Sequence, residues 1–92
     1  MKQIFIATVL TEYEGGVPSA YSAIVSSEYD KELFESWIRE EIESLCSDYP
    51  KVNDDSTISI AEYGKDGLSG MYRSSNLNIT IDIQSHEIPE NI

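Results

Sequence analysis

The stretch from Ser27 to Tyr49 limits the fold most, because it is the only long segment whose apolar residues recur with helical spacing. At about 100° per residue, Phe34, Ile38, Ile42, Leu45 and Tyr49 fall on one narrow stripe, with Cys46 at its edge. A stripe of that width predicts a helix packed on a sheet. Ser27 or Asp30 can cap its start by accepting backbone N–H bonds, and Pro50 stops it by lacking a donor.

The segments on either side alternate with the period of strands. Lys2 to about Glu12 is the first and Ala20 to Ser26 the second, joined by a turn at Glu14-Gly15-Gly16-Val17-Pro18 whose glycines admit positive φ. Beyond a polar loop at 51–56, Thr57–Tyr63 is the third, with Ile58 and Ile60 inward, and Gly64-Lys65-Asp66-Gly67 is a hairpin turn. Leu68–Arg73 reads as a short strand interrupted by Gly70. Leu77–Gln84 alternates most cleanly, with Leu77, Ile79, Ile81 and Ile83 on one face. The expected fold is therefore α+β: a two-layer domain in the order β-β-α-β-β-β, with an antiparallel sheet of four to five strands and one helix across one face. Residues 1–92 suffice for a single domain, with 85–92 expected as a frayed tail.

The first strand is apolar on both faces, Ile4, Ile6 and Leu10 on one and Phe5, Ala7 and Val9 on the other. Such strands are usually covered on both sides, and one helix covers only one. The face of Phe5 and Val9 is therefore expected to need a loop, the C-terminal tail or a second copy of the chain, which makes it a candidate homodimer contact. The small side chains of Ala20 and Ala23 suggest close packing under the helix. Tyr21 and Tyr49 have core explanations, whereas Tyr13, Tyr29 and Tyr72 fall near turns or strand ends, where amphipathic rings suit recognition.

Charge bounds the partners. Six basic against 17 acidic residues give a formal charge of −11, which argues against direct binding to nucleic acid or anionic membrane. It permits steered association with a basic protein surface. Cys46 is the sole cysteine, so no disulfide can form within the chain, and a cytoplasmic setting is expected. The apolar run after Met1-Lys2 is too short for a membrane span or a signal segment and reads as strand.

Catalytic chemistry finds little purchase. The single histidine, His86, is expected in the tail and Cys46 in the apolar stripe, so they do not form a nucleophile–base pair. The acidic run at Asp54-Asp55 lacks the spacing and closing glutamate of a calcium loop, and Gly64–Gly67 lacks that of a phosphate loop. No zinc spacing and no nucleotide fingerprint is present. The chain is expected to be non-enzymatic and to carry no metal or cofactor.

The helix is the informative element. Lys31 and Arg39 can pair with Glu35 and Glu43 at i,i+4, but Glu32 with Glu35 and Glu40 with Glu43 are like-charge neighbours. Helix stability alone does not explain that pattern, so Glu32, Glu35, Glu40, Glu41, Glu43 and Asp48 are candidate partner-binding residues, with Trp37 as an anchor among them. Spaced carboxylates can present charge as a phosphate backbone does. In size, acidity and lack of catalytic residues the chain is similar in kind to the small inhibitors of phages and mobile elements, namely anti-CRISPR, anti-restriction and toxin-immunity proteins. That similarity implies a nucleic-acid mimic acting on a basic, nucleic-acid-binding protein of a host cell. The alternative is a self-associating structural or accessory domain, or a toxin-immunity protein, whose acidic face serves only solubility.

Overall fold

The computed structural model describes residues 2–47, 57–62, 67–74 and 76–88. Strands β1 (Lys2–Tyr13) and β2 (Ser19–Ser26) precede one helix, α1 (Lys31–Ser47), and β3 (Thr57–Glu62), β4 (Gly67–Arg73) and β5 (Leu77–Ile88) follow it. All neighbouring strands are antiparallel, in the order β2-β1-β5-β4-β3. The expected α+β architecture is the one observed, with five strands.

Local chemistry accounts for the boundaries. Asp30 caps α1: its carboxylate accepts from the Leu33 N–H at 3.1 Å, and its carbonyl accepts from the Phe34 N–H. Ser26 closes the preceding turn, its hydroxyl oxygen accepting from the Glu28 N–H at 3.0 Å. Between β1 and β2, Gly15 alone takes positive φ, at 80°, so one glycine of the adjacent pair supplies the left-handed turn residue.

The antiparallel pairings run β2 and β3, the two edges, in the same direction. The helix must therefore carry the chain back along the sheet between them. Its length matches that of the strand it returns along. Its 17 residues make a helix of about 25 Å, and the eight residues of β2 span about 26 Å.

The core is the layer between helix and sheet. Phe34, Ile38 and Ile42 from α1 meet Phe5, Ala7 and Val9 of β1, Leu68 and Tyr72 of β4, and Leu77, Ile79, Ile81 and Ile83 of β5. Burying a side chain of this size contributes about 1.5–3 kcal/mol. The rings of Phe5, Tyr29 and Phe34 pack at steep mutual angles at one end, with centroids 5.0–6.0 Å apart. The helix lies chiefly over β4 and β5, where Gly70 gives it room: a Cβ there would lie 2.5 Å from Ile38 Cγ2. Gly70 thus seats the helix and leaves β4 unbroken.

Several expectations are corrected. Phe5 and Val9 are 0% exposed beneath α1 and its neighbours, so they form the covered face and leave no homodimer contact there; Ile4, Ile6 and Leu10 are the uncovered set. The reason is register: Ala7 and Val9 stand opposite Ile83 and Ile81 of β5, whose alternation fixes the core side. Ala20 lies exposed on the far face and Ala23 is half-buried, so the close approach to the helix is made at Gly70. The segment 85–88, expected to fray, continues β5 because Lys2–Phe5 offer it partners. Tyr29 and Tyr72 belong to the core and its edge, whereas Tyr21 is exposed. Ile58 and Ile60 both stand on the helix side, opposite Tyr72 and Gly70, but only Ile60 packs against the core and Ile58 stays exposed. Tyr49, the 51–56 loop and the Gly64–Asp66 part of the turn lie outside the described residues.

Two outcomes follow for urea unfolding monitored by circular dichroism. Gly70→Ala should cost about 1–3 kcal/mol by overpacking against Ile38, and a double-mutant cycle with Ile38→Ala should return a coupling of at least about 0.5 kcal/mol. Additive effects would show that the two residues do not touch. Asp30→Ala should cost about 1 kcal/mol through loss of the cap.

Candidate protein-interaction surface

Taking Ile38 as the inward direction, about 100° of rotation per residue puts Glu32, Glu40 and Glu43 on the outer half of α1, where all three are exposed. Glu35 is half-buried on the flank towards β3, near the pair formed by Lys31 and Glu62. Glu41 and Trp37 lie together on the opposite flank. There the Tyr21 hydroxyl of β2 donates to Glu41 Oε1, and Trp37 packs half-buried against the core.

The seven candidates therefore do not make one patch. Glu32, Glu40 and Glu43 share the solvent side with Glu35 at its margin, while Glu41 is engaged with the sheet edge. Trp37 seals the core on that side, which is its structural role. Asp48 lies outside the described residues.

The cations of α1 decide how negative this surface is. The helix has two, Lys31 and Arg39. Lys31, about 20° from the Ile38 direction and so on the inner side of α1, forms its ion pair with Glu62 at the end of β3, with Glu35 near enough to add to the attraction. Its outward neighbours then have Arg39 as the one basic side chain on the helix's outer half. The Glu62 carboxylate, hydrogen-bonded to the ammonium and attracting it through space, holds the Lys31 pKa above its ordinary 10.5, and Glu35 adds to the effect.

Neither the Lys31–Glu62 pair nor the Tyr21–Glu41 bond was legible in the sequence. The partners are far apart along the chain, and only the strand order brings them under the helix flanks.

The opposite side of the sheet carries no helix. Ile4, Ile6 and Leu10 of β1 stand on it beside Ala20 and Ile24 of β2, with Ile6 directly opposite Ile24 and Leu10 opposite Ala20. Towards β4 the face becomes more polar, through Thr80, Asp82 and Gln84 of β5 and Ser69 of β4, with exposed Met71 opposite Thr80 as an apolar exception.

A shallow open depression of about 230 Å3 lies at the β1–β2 turn end, lined by Glu12, Tyr13, Glu14, Asn76 and Asn78. Its floor is fixed by the Glu14 N–H donating to the Asn76 carbonyl. Cys46 is a free, half-buried thiol beside the core, and His86 is exposed on β5 opposite Ile4. Among the described residues no three His, Cys, Asp or Glu side chains converge as metal ligands do, and no helix is long and apolar enough to cross a membrane. No protein-family model, curated protein or solved structure matches the chain.

The Lys31–Glu62 pair makes a pH-dependent expectation. A lysine whose pKa is raised by folding adds stability that is fully present below its unfolded value near 10.5. That contribution is lost as pH rises through the folded value. An NMR titration of the lysine side chains should find Lys31 above the other lysines, and Glu62→Gln should bring it back towards them. An unchanged Lys31 titration in Glu62→Gln would show that the pair does not form in solution.

Proposed function

We propose that the chain is a small, non-enzymatic interaction protein whose acidic helix binds and inhibits a basic protein surface, most directly the nucleic-acid-binding surface of a host protein. The observation that carries this reading is the outer side of α1. Glu32, Glu40 and Glu43 emerge there exposed, with Arg39 as the basic side chain among them, while Lys31 lies on the inner side, paired with Glu62. Glu40 and Glu43 are three residues apart, which on a helix puts their Cβ atoms about 5–6 Å from one another, and Glu32 stands about two turns earlier on the same side. They form a row of charge on one side of the helix, suited to meet arginines and lysines arranged for phosphates.

The binding residues in this reading are Glu32, Glu35, Glu40 and Glu43. Trp37 and Glu41 stiffen the flank towards β2. Because the contact is electrostatic and exposed, it is steered over distance and screened by salt, whose Debye length is about 8 Å at physiological ionic strength. An inhibitor of this sort, used by phages and mobile elements against host defences, competes with nucleic acid by charge alone and needs no catalytic group.

Affinity capture from a nuclease-treated host lysate at low salt, with a salt wash and mass spectrometry, tests the proposal. Recovery of a basic nucleic-acid-binding protein, released by salt or by competing DNA, is the expected result. Glu40→Lys with Glu43→Lys should abolish that capture and leave the circular dichroism spectrum unchanged, since both side chains are exposed. Capture that survives the double reversal, or that resists salt, would remove the acidic helix as the binding surface.

A further inference from the structure

The run from Gly15 to Ser27 holds no charged residue, the longest such run in a chain of formal charge −11. It contains all of β2, which lies at one edge of the sheet with β1 as its one strand neighbour among the described residues. Natural edge strands are normally blunted by lysine, by proline within the strand, by brevity or by a cover. β2 has eight residues, Ser-Ala-Tyr-Ser-Ala-Ile-Val-Ser. Its proline, Pro18, stands before the first of them, and its bulge is confined to the end near Phe5. Ile24 on this edge is 70% exposed. The other edge, β3, has six residues and ends on Glu62, held by Lys31. Among the described residues the two edges are not equivalent: β2 is the longer and carries no charged side chain.

We infer that β2 pairs antiparallel with β2 of a second copy about a two-fold axis, joining two five-stranded sheets into one of ten strands. Three features favour a second copy as the occupant. First, side chains must keep their face across the seam, so residues of like parity stand opposite one another. With Ser22 on the axis, Ala20 meets Ile24 of the other copy and Tyr21 meets Ala23, so over the middle of the strand small residues face large ones and serine faces serine. Second, the uncovered apolar residues lie on the same side of the sheet as this edge. Pairing there brings Ile24, Ile6, Leu10 and Ala20 of both copies into one continuous strip. Third, the alternative of stacking the open faces is disfavoured by Asp82. It stands mid-face between Thr8 and Ser69, and stacking would bury its carboxylate against another. Edge pairing leaves Asp82 in water.

The seam is made of main-chain hydrogen bonds and neutral side chains, while the surrounding surfaces of both copies are acidic. Added salt screens that repulsion and should tighten the dimer, the reverse of its expected effect on binding through α1. The seam uses none of Glu32, Glu35, Glu40 and Glu43.

Sedimentation equilibrium of the full chain across the micromolar range at 0.05 and 0.5 M sodium chloride tests the proposal, together with amide hydrogen exchange at low and high concentration. The expected result is a monomer–dimer equilibrium between 10.3 kDa and twice that mass, tighter at high salt, with exchange slowed on Ser19–Ser26 and unchanged on β3. Ile24→Lys should weaken the dimer by about tenfold or more, because lysine on an edge blocks pairing. Ser22→Lys serves the same purpose should Ile24→Lys fail to fold, and Glu40→Lys on the helix should leave the dimer intact or strengthen it. A monomer at every concentration, slowed exchange elsewhere than β2, open-ended oligomers, or a dimer untouched by both lysine variants would overturn the inference.

Discussion

The seating of Ile38 on Gly70 is the contact on which the other layers depend. A helix approaches a sheet as closely as the largest side chain between them allows. Here Gly70 of β4 leaves a gap directly under Ile38. That gap lets Ile38 sink to the sheet, and Phe34 and Ile42, a turn to either side, then bury fully over β1, β4 and β5. The same depth brings the helix flanks within reach of side chains on the sheet edges. Tyr21 reaches Glu41 on one side and Glu62 reaches Lys31 on the other. The surface chemistry of α1 is thus set by a packing event in the core.

The two faces of the sheet divide the physical forces between them. On the helix side the outermost layer is carboxylate, whose interactions act over several ångströms and fade with salt. On the bare side the exposed material is isoleucine, leucine and alanine near an edge of neutral backbone, whose interactions act at contact and do not fade. A chain of this size has room for one core, and using one sheet face for it leaves the other free for association. In the proposed reading, charge on the outer side of the helix and neutrality along β2 would keep the two kinds of contact apart.

The element order was readable because each signal is local. The helical stripe of Phe34, Ile38 and Ile42, the alternation of β5, the Asp30 cap and the Gly15 turn all arise from residues close together in the chain. What escaped the sequence is what depends on strand order. Either face of β1 could have been the core face, since both are apolar, and only the pairing with Ile81 and Ile83 decides for Phe5, Ala7 and Val9. Gly70 resembled a strand break because the helix that fills its space is about thirty positions earlier in the chain. The acidic candidates of α1 were visible one by one, yet their division into an outer group and a flank group needed Tyr21 and Glu62 in place. Residues 85–88 resembled a tail because their alternation is polar, and it is the reach of β1 that recruits them as strand.

The long pairing of β1 with β5 has a consequence for how the chain comes to be folded. β1 and β2 form one hairpin, and β3, β4 and β5 form a meander. The seam between these two units joins the first strand to the last. During synthesis the helix therefore emerges before much of its floor exists: Phe34 can rest on Phe5, but Gly70, on which Ile38 sits, and Ile79, Ile81 and Ile83 have yet to be made. Closing so long a loop delays the barrier crossing until the final strand is present. Most of the apolar floor beneath α1 is thus supplied by strands made after it, and the native packing of the helix waits on β5.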